Sequence, residues 1–401
     1  KSKTKGELED FVRYFNDRFK KLRDILLSRP SKNRVVSIGM VGNVQKNTEI
    51  RIIGMVSAKR TTKKGHITID LEDDTGTTTV LVLNNEKKGD RCFENAARVV
   101  TDEVIAVDVR LSNNFNIALD ITWPDVSVRN KKTIEKDLSI AFLSDIHLGS
   151  KHFKDKEFER MLQWLNGGAN GKEIAEKIGY ILVCGDIVDG IGVYPRQEQD
   201  LLLKDVYEQY DLFQRFLEII PDHIQVFVTP GNHDAVRHAE PQPALGKDIM
   251  PETDQVHSIG NPAQIEIEGL KTLMYHGTSI ESLVTDVPGL SFSRPEDVAV
   301  EYLKRRTLVP IYDKNEIAPE NIDYLFVDEV DILHTGHVHK NGYTEYRGTV
   351  VVNSGTWLDK TTKWQLRRGF TPTPCILPVY DMKAGRVAHI DFNGEEPKVY
   401  Q

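Results

Sequence analysis

Five times between residues 139 and 339 a short apolar run breaks off on aspartate, asparagine or histidine. "AFLSDIH" ends on Asp145 and His147, "ILVCGD" on Asp186, "FVTPGNH" on Asn232 and His233, "LMYH" on His276, and "ILHTGHVH" on His337 and His339. Apolar runs of this length alternating with helix-patterned stretches read as buried strands of an α/β layered domain, two packed sheets with helices outside. The carboxyl ends of strands in such a sheet line the ligand crevice, so polar groups placed there converge. A chain that ends five strands this way is constrained to one architecture with one busy edge.

The residue types at that edge narrow the chemistry. Asp145, Asp186, Asn232, His147, His276, His337 and His339 supply oxygen and imidazole nitrogen without thiolate, a set suited to manganese, iron or zinc rather than to calcium. Seven ligands exceed what one catalytic ion with an open position accepts; they fit two ions about 3.5–4 Å apart that share a carboxylate. Gly185, Gly231, Gly277 and Gly336 stand beside these residues, where tight turns bring backbone close to an ion.

The rest of the chain divides by pattern. Residues 1–46 hold one amphipathic helix, with Leu8, Phe11, Val12, Phe15, Phe19, Leu22 and Leu26 at helical spacing and Pro30 beyond its end. Residues 47–127 carry five short alternating strands with the turn "DDTG" after the second and a short helix near 90–97 before the fourth, the order of an OB-fold barrel. After the polar linker "SVRNKKTIEKD" the α/β domain covers 138–401, with a long helix expected from Gln197 to Ile220.

Bulk properties exclude several classes. A net charge of −8 argues against a protein that coats nucleic acid by bulk electrostatics, although Lys59, Arg60, Lys63 and Lys64 in "KRTTKKGH" form a local basic loop. No apolar run approaches the length of a membrane span, and no signal peptide is evident. The absent initiator methionine reads as a trimmed sequence. Three widely spaced cysteines argue against a disulfide framework and point to a reducing, cytoplasmic setting, with Cys184 in a core strand.

The motif series "DIH", "GDIVD", "GNHD", "HG" and "GHVH" resembles the calcineurin-like metallophosphoesterases over about residues 138–395. The resemblance implies that Asp145, His147, Asp186 and His339 hold a first ion and Asp186, Asn232, His276 and His337 a second. It implies that His233 faces the scissile phosphate as general acid, kept in place by Asp189, with Asp234 behind the ligands. "GDIVDGIG" and "GNHD" depart from the protein phosphatase pattern, lacking the arginine that grips a phosphomonoester.

The order helix, OB barrel, phosphoesterase, together with "SDIHLGSKHF" and "GNHDAVRHAEPQP", is similar to the small-subunit family of archaeal family-D DNA polymerases. That resemblance implies a manganese-dependent 3′–5′ proofreading exonuclease acting on single-stranded 3′ ends beside a large polymerizing subunit, with a sliding clamp as a further partner. Lys151 and Arg237 are then candidates for the DNA backbone, and Trp357 and Trp364 for base stacking or a subunit interface. Two alternatives stay open: a non-catalytic scaffold subunit, and a phosphatase or cyclic phosphodiesterase acting on small molecules.

Overall fold

The structure is a computed structural model that describes residues 4–85, 89–113, 115–168, 170–359, 366 and 369–400. Helix α1 (Leu8–Ser28) buries Tyr14, Phe19, Leu22 and Leu26 and leaves Leu8 and Val12 exposed, so the apolar stripe seats on its own chain only from its second turn onward. Strands β1 (Glu49–Thr61), β2 (Ile67–Asp73), β3 (Gly76–Val82), β4 (Val104–Leu111) and β5 (Asn116–Thr122) close a barrel in the order β1-β2-β3-β5-β4. Helix α2 (Arg91–Arg98), capped by the Asp90 carboxylate on the Phe93 amide, enters between β3 and β4. This is the OB-fold arrangement. Alternating burial along β2 is what fills the barrel, with Ile67, Ile69 and Leu71 inside.

The remainder forms two sheets. The larger runs β17-β16-β15-β6-β7-β8-β9, built from β6 (Ser139–Leu143), β7 (Ile178–Cys184), β8 (Gln225–Thr229), β9 (Val256–Ser258), β15 (Ile376–Asp381), β16 (Arg386–Asp391) and β17 (Lys398–Tyr400). The smaller runs β10-β11-β12-β14-β13, from β10 (Ala263–Ile267), β11 (Leu270–Tyr275), β12 (Ile332–Thr335), β13 (Asn341–Tyr346) and β14 (Thr349–Ser354). Phe142, Leu182 and Cys184 from one sheet meet Met274, Ile332 and Val352 from the other in a shared apolar layer. Helices α3 (Asp155–Leu165), α4 (Lys172–Ala175) and α5 (Val206–Leu217) cover the large sheet, and α6 (Ile280–Asp286) and α7 (Pro295–Arg305) the small one.

One expected element differs. The helix projected from Gln197 to Ile220 is split into a single turn at Gln197–Gln199 and α5. Ser150 pairs in strand fashion with Leu201, and the Asp205 carboxylate caps α5 at the Tyr207 amide, so the intervening residues are taken by the loop after β6.

Polar ties lock the first helix and the barrel to the sandwich. Arg18 is fully buried and pairs with Asp323 at 2.9 Å while donating to the Val309 carbonyl, and the Tyr14 hydroxyl donates to the same carboxylate at 2.5 Å. From the barrel, buried Glu103 meets Arg305 of α7 at 2.8 Å.

Candidate metal centre

Parallel pairing explains why the polar residues meet. β6, β7 and β8 run parallel in one sheet, and β11 and β12 run parallel in the other, so all five release their chains at one edge. Beyond the strands the loops stay joined: the Asp145 amide donates to Gly185, His147 to Asp186 and Leu148 to Ile187, an extension of the β6–β7 pairing past its regular end. That zipper carries Asp145 and His147 against Asp186.

The ligand-type atoms fall into overlapping groups, Asp145–His147–His339, His147–Asp186–His233 and Asp186–His276–His337. Asp186 sits where they overlap: its Oδ2 lies 3.7 Å from His147 Nε2, 3.3 Å from His276 Nε2 and 4.0 Å from His233 Nε2. His339 Nε2 lies 3.4 Å from Asp145 Oδ1, and Asn232 Oδ1 lies 3.1 Å from His276 Nε2. All seven expected metal ligands are therefore in one cluster.

The backbone is strained where it delivers them. Asp145, His147, Asp186, His337 and His339 all have positive φ, between 50° and 72°. Such left-handed positions cost non-glycine residues about 1–3 kcal/mol each and persist where surrounding structure holds them for function. Asp and His are among the residues that tolerate them best.

The donors fit divalent cations. His147 Nδ1 faces the Asp189 carboxylate at 3.1 Å and His276 Nδ1 faces the Cys184 carbonyl at 2.9 Å, so in their neutral forms both rings hold the proton on Nδ1 and aim a lone pair from Nε2 into the cluster. His147 Nε2 and His339 Nε2 approach to 3.1 Å, a contact that needs a proton on one of the two nitrogens or a cation between them. Burial would lower the pKa of His276, yet the Asp186 and Asp145 charges, with the hydrogen bonds to Asp186 and the Cys184 carbonyl, together outweigh it and push the pKa up to about 10. Burial likewise opposes ionisation of Asp186 and Asp145, but the histidines around them hold both carboxyls below the usual carboxylate range. A pocket that keeps its carboxylates ionised and draws a proton onto a buried imidazole is one that recruits positive charge.

Several placements differ from the sequence reading. Asp189 reaches His233 through its backbone carbonyl, 2.7 Å from Nδ1, while its carboxylate serves His147; the Asp189 Oδ1 to His233 Nδ1 distance is 4.0 Å. Arg237 turns inward to the carbonyls of Ala239 and Pro241 and to Glu320, so its donors are engaged within the fold. Lys59 is half-buried with Nζ on the Ala97 carbonyl and Arg60 pairs with Asp70 at 2.7 Å, leaving Lys63 and Lys64 exposed at the β1–β2 turn. Lys151 is exposed, its ammonium on the Gln199 carbonyl. Trp357 is fully buried against Phe158 and Phe392, which removes it from any stacking role; Trp364 lies outside the described residues.

Supporting residues were missed because no motif announces them. Asn261 accepts the His276 amide at 2.9 Å and donates to Gln242, which in turn donates to the Gly231 carbonyl. Asp234, which the resemblance already places behind the ligands, accepts from the Gly231 amide and the Tyr210 hydroxyl, and burial pushes its pKa up to about 6. Tyr194 places its ring 6.3 Å from that of His233.

A side chain at Gly231 would run into the Asp186 carboxylate and approach His276 Cε1 to 2.9 Å. Gly231→Ala is expected to cost about 1–3 kcal/mol of stability through overpacking and to lower bound metal, read by denaturant titration and elemental analysis. Full metal content in this variant would show that the turn has slack.

The family profile described as Calcineurin-like phosphoesterase matches residues 138–341. The chain is 42% identical to the DNA polymerase II small subunit of Archaeoglobus fulgidus over 98% of its own length and 79% of that protein. It is 39% identical to the protein of the same name from Methanocaldococcus jannaschii, covering 97% of this chain and 66% of that one. With the Methanothermobacter thermautotrophicus counterpart identity is 38%, over 94% and 79%. The metallophosphoesterase match and these identities over nearly the whole chain assign it to the family of DNA polymerase II small subunits.

Proposed function

We propose that the chain is the nuclease subunit of an archaeal replicative DNA polymerase, removing nucleotides from single-stranded 3′ ends beside a large polymerizing subunit. The observation that carries this reading is the sharing of Asp186 between two ligand groups, the geometry a two-ion phosphodiesterase needs. Asp145, His147, Asp186 and His339 would hold one ion, and Asp186, Asn232, His276 and His337 the other. Manganese suits the mixed oxygen and imidazole donors, with iron or zinc as the next choices. When bound, such ions lower the pKa of coordinated water by many units and neutralise charge on the phosphate.

The chain's own groups supply the rest. His233 keeps one proton on Nδ1, facing the Asp189 carbonyl, so Nε2 is the position that gives or takes a proton toward the cluster. Its amide donates to Asp186 Oδ1 at 2.9 Å, which fixes the ring beside the shared carboxylate. In the imidazolium form it would protonate the departing 3′ oxygen. Tyr194 beside it offers a face on which a terminal base can stack.

His233→Ala is expected to slow turnover by about 10²–10⁴ while leaving metal content unchanged. The assay is 5′-labelled single-stranded DNA with manganese, scored for stepwise shortening from the 3′ end. Cleavage of small phosphoesters but not DNA would favour the small-molecule phosphoesterase reading, and inertness toward both would favour the scaffold.

A further inference from the structure

Where the barrel, the end of α1 and α7 meet, the structure forms a half-open cavity of about 460 Å³. Six cationic side chains reach its wall, Arg29, Arg51, Arg91, Arg98, Lys304 and Arg347, against the carboxylates of Asp125 and Glu301. In a chain of net charge −8 this is a local inversion. The carboxylates are shared rather than matched. Glu301 faces Arg98 at 2.6 Å, Lys304 at 2.9 Å and also the buried Arg305. Asp125 faces Arg347 at 3.0 Å and accepts the Tyr346 hydroxyl at 2.7 Å. Arg51 has Asp108 at 2.6 Å, but Arg29 donates only to the backbone carbonyls of Pro124 and Asp125. Arg91, on the exposed side of α2, has no ion pair among the described residues.

The cavity is remote from the metal centre. Tyr346 and Arg347 lie at the hairpin turn before β14, whereas Ser354, at the opposite end of that strand, touches Ser144 next to Asp145. Burial holds Arg98 and Lys304 below their ordinary pKa, and the charge of Arg98 adds to the effect on Lys304.

We propose that this cavity binds a phosphate-bearing ligand of nucleotide size. Its volume lies in the range of about 300–1,000 Å³ typical of small-molecule sites. The donors come from α1, α2, α7 and the β13–β14 turn, several directions at once, which suits a tetrahedral phosphate better than a planar carboxylate. Because Arg91 and Arg98 belong to the barrel and Lys304 and Arg347 to the sandwich, the ligand bridges the two. The phosphate could belong to a free nucleotide or to a DNA strand.

Calorimetric titration of the full chain separates these sources, with EDTA present to keep the metal centre out of play. The probes are pyrophosphate, deoxythymidine triphosphate and a thymidine dodecamer. Saturable binding is expected, weakened about tenfold by each of Arg91→Gln and Lys304→Gln, as loss of a hydrogen bond to a charged group implies. Both variants should keep the native unfolding midpoint and nuclease activity. Binding of the triphosphate without the dodecamer identifies a nucleotide site, and binding of both a strand site. Absence of saturable binding by every phosphate probe overturns the proposal, as does binding that both variants leave intact. Preference for poly-glutamate over the phosphates would overturn it in favour of an acidic peptide.

Discussion

Asp186→Asn is expected to leave both metal positions empty, because the one carboxylate that the overlapping groups share is replaced by a neutral amide of the same size. Elemental analysis after manganese reconstitution should fall from about two ions per chain to fewer than one, and phosphodiester hydrolysis should be lost with them. The pH dependence provides an independent check. With His276 at about 10, a cation entering near neutral pH must displace its proton, so native metal uptake releases protons and affinity climbs as pH rises toward 10. In the metal-free protein the sign is opposite: the stability contributed by charged His276 is complete below its unfolded value of 6.5 and is lost as pH rises through about 10. Asp186→Asn removes the main cause of that raised value, so both dependences should flatten. Retention of two ions by the variant would refute the shared-carboxylate arrangement.

Asp323→Ala is the second large effect. The substitution leaves the Arg18 guanidinium buried without its counter-charge and strips the Tyr14 hydroxyl of its acceptor. Breaking a buried pair from one side costs about 3–5 kcal/mol, a large share of the roughly 5–15 kcal/mol that holds a domain folded. The expected signature is an earlier urea midpoint for α1 and the surface it covers, with increased proteolysis of the helix. The double variant Arg18→Met/Asp323→Leu should recover much of the loss, since apolar replacement of a buried pair is often near neutral. Equal destabilisation by the single and double variants would show that helix packing, not the ion pair, dominates.

The strand ends were legible because a polar residue terminating a buried run is costly unless something compensates it, and five such endings in order leave a narrow set of folds. The seven ligand-type residues of the cluster could be read for that reason, and so could the barrel, whose period-2 burial is written into β2. What escaped has a different physical origin. Asn261 and Gln242 act through single hydrogen bonds to backbone groups distant in sequence, and nothing local marks them. The split before α5 depends on the loop after β6 claiming Leu201, a tertiary override of helical pattern. Trp357 was misjudged because a tryptophan beside a ligand turn looks the same in sequence whether it faces solvent or Phe392. Arg18 sits on an amphipathic helix where an arginine ordinarily faces water; only the carboxylate that arrives 305 residues later turns it inward.

Because β6, β7 and β8 belong to one sheet and β11 and β12 to the other, each half of the cluster is assembled from both walls of the sandwich. The apolar layer between the walls thus works as a spacer: the fit of Phe142 against Met274 and Val352 sets how far apart the two banks of ligands stand. Trimming that layer would act like a shim taken out of a vice, altering reactivity without touching a single polar atom.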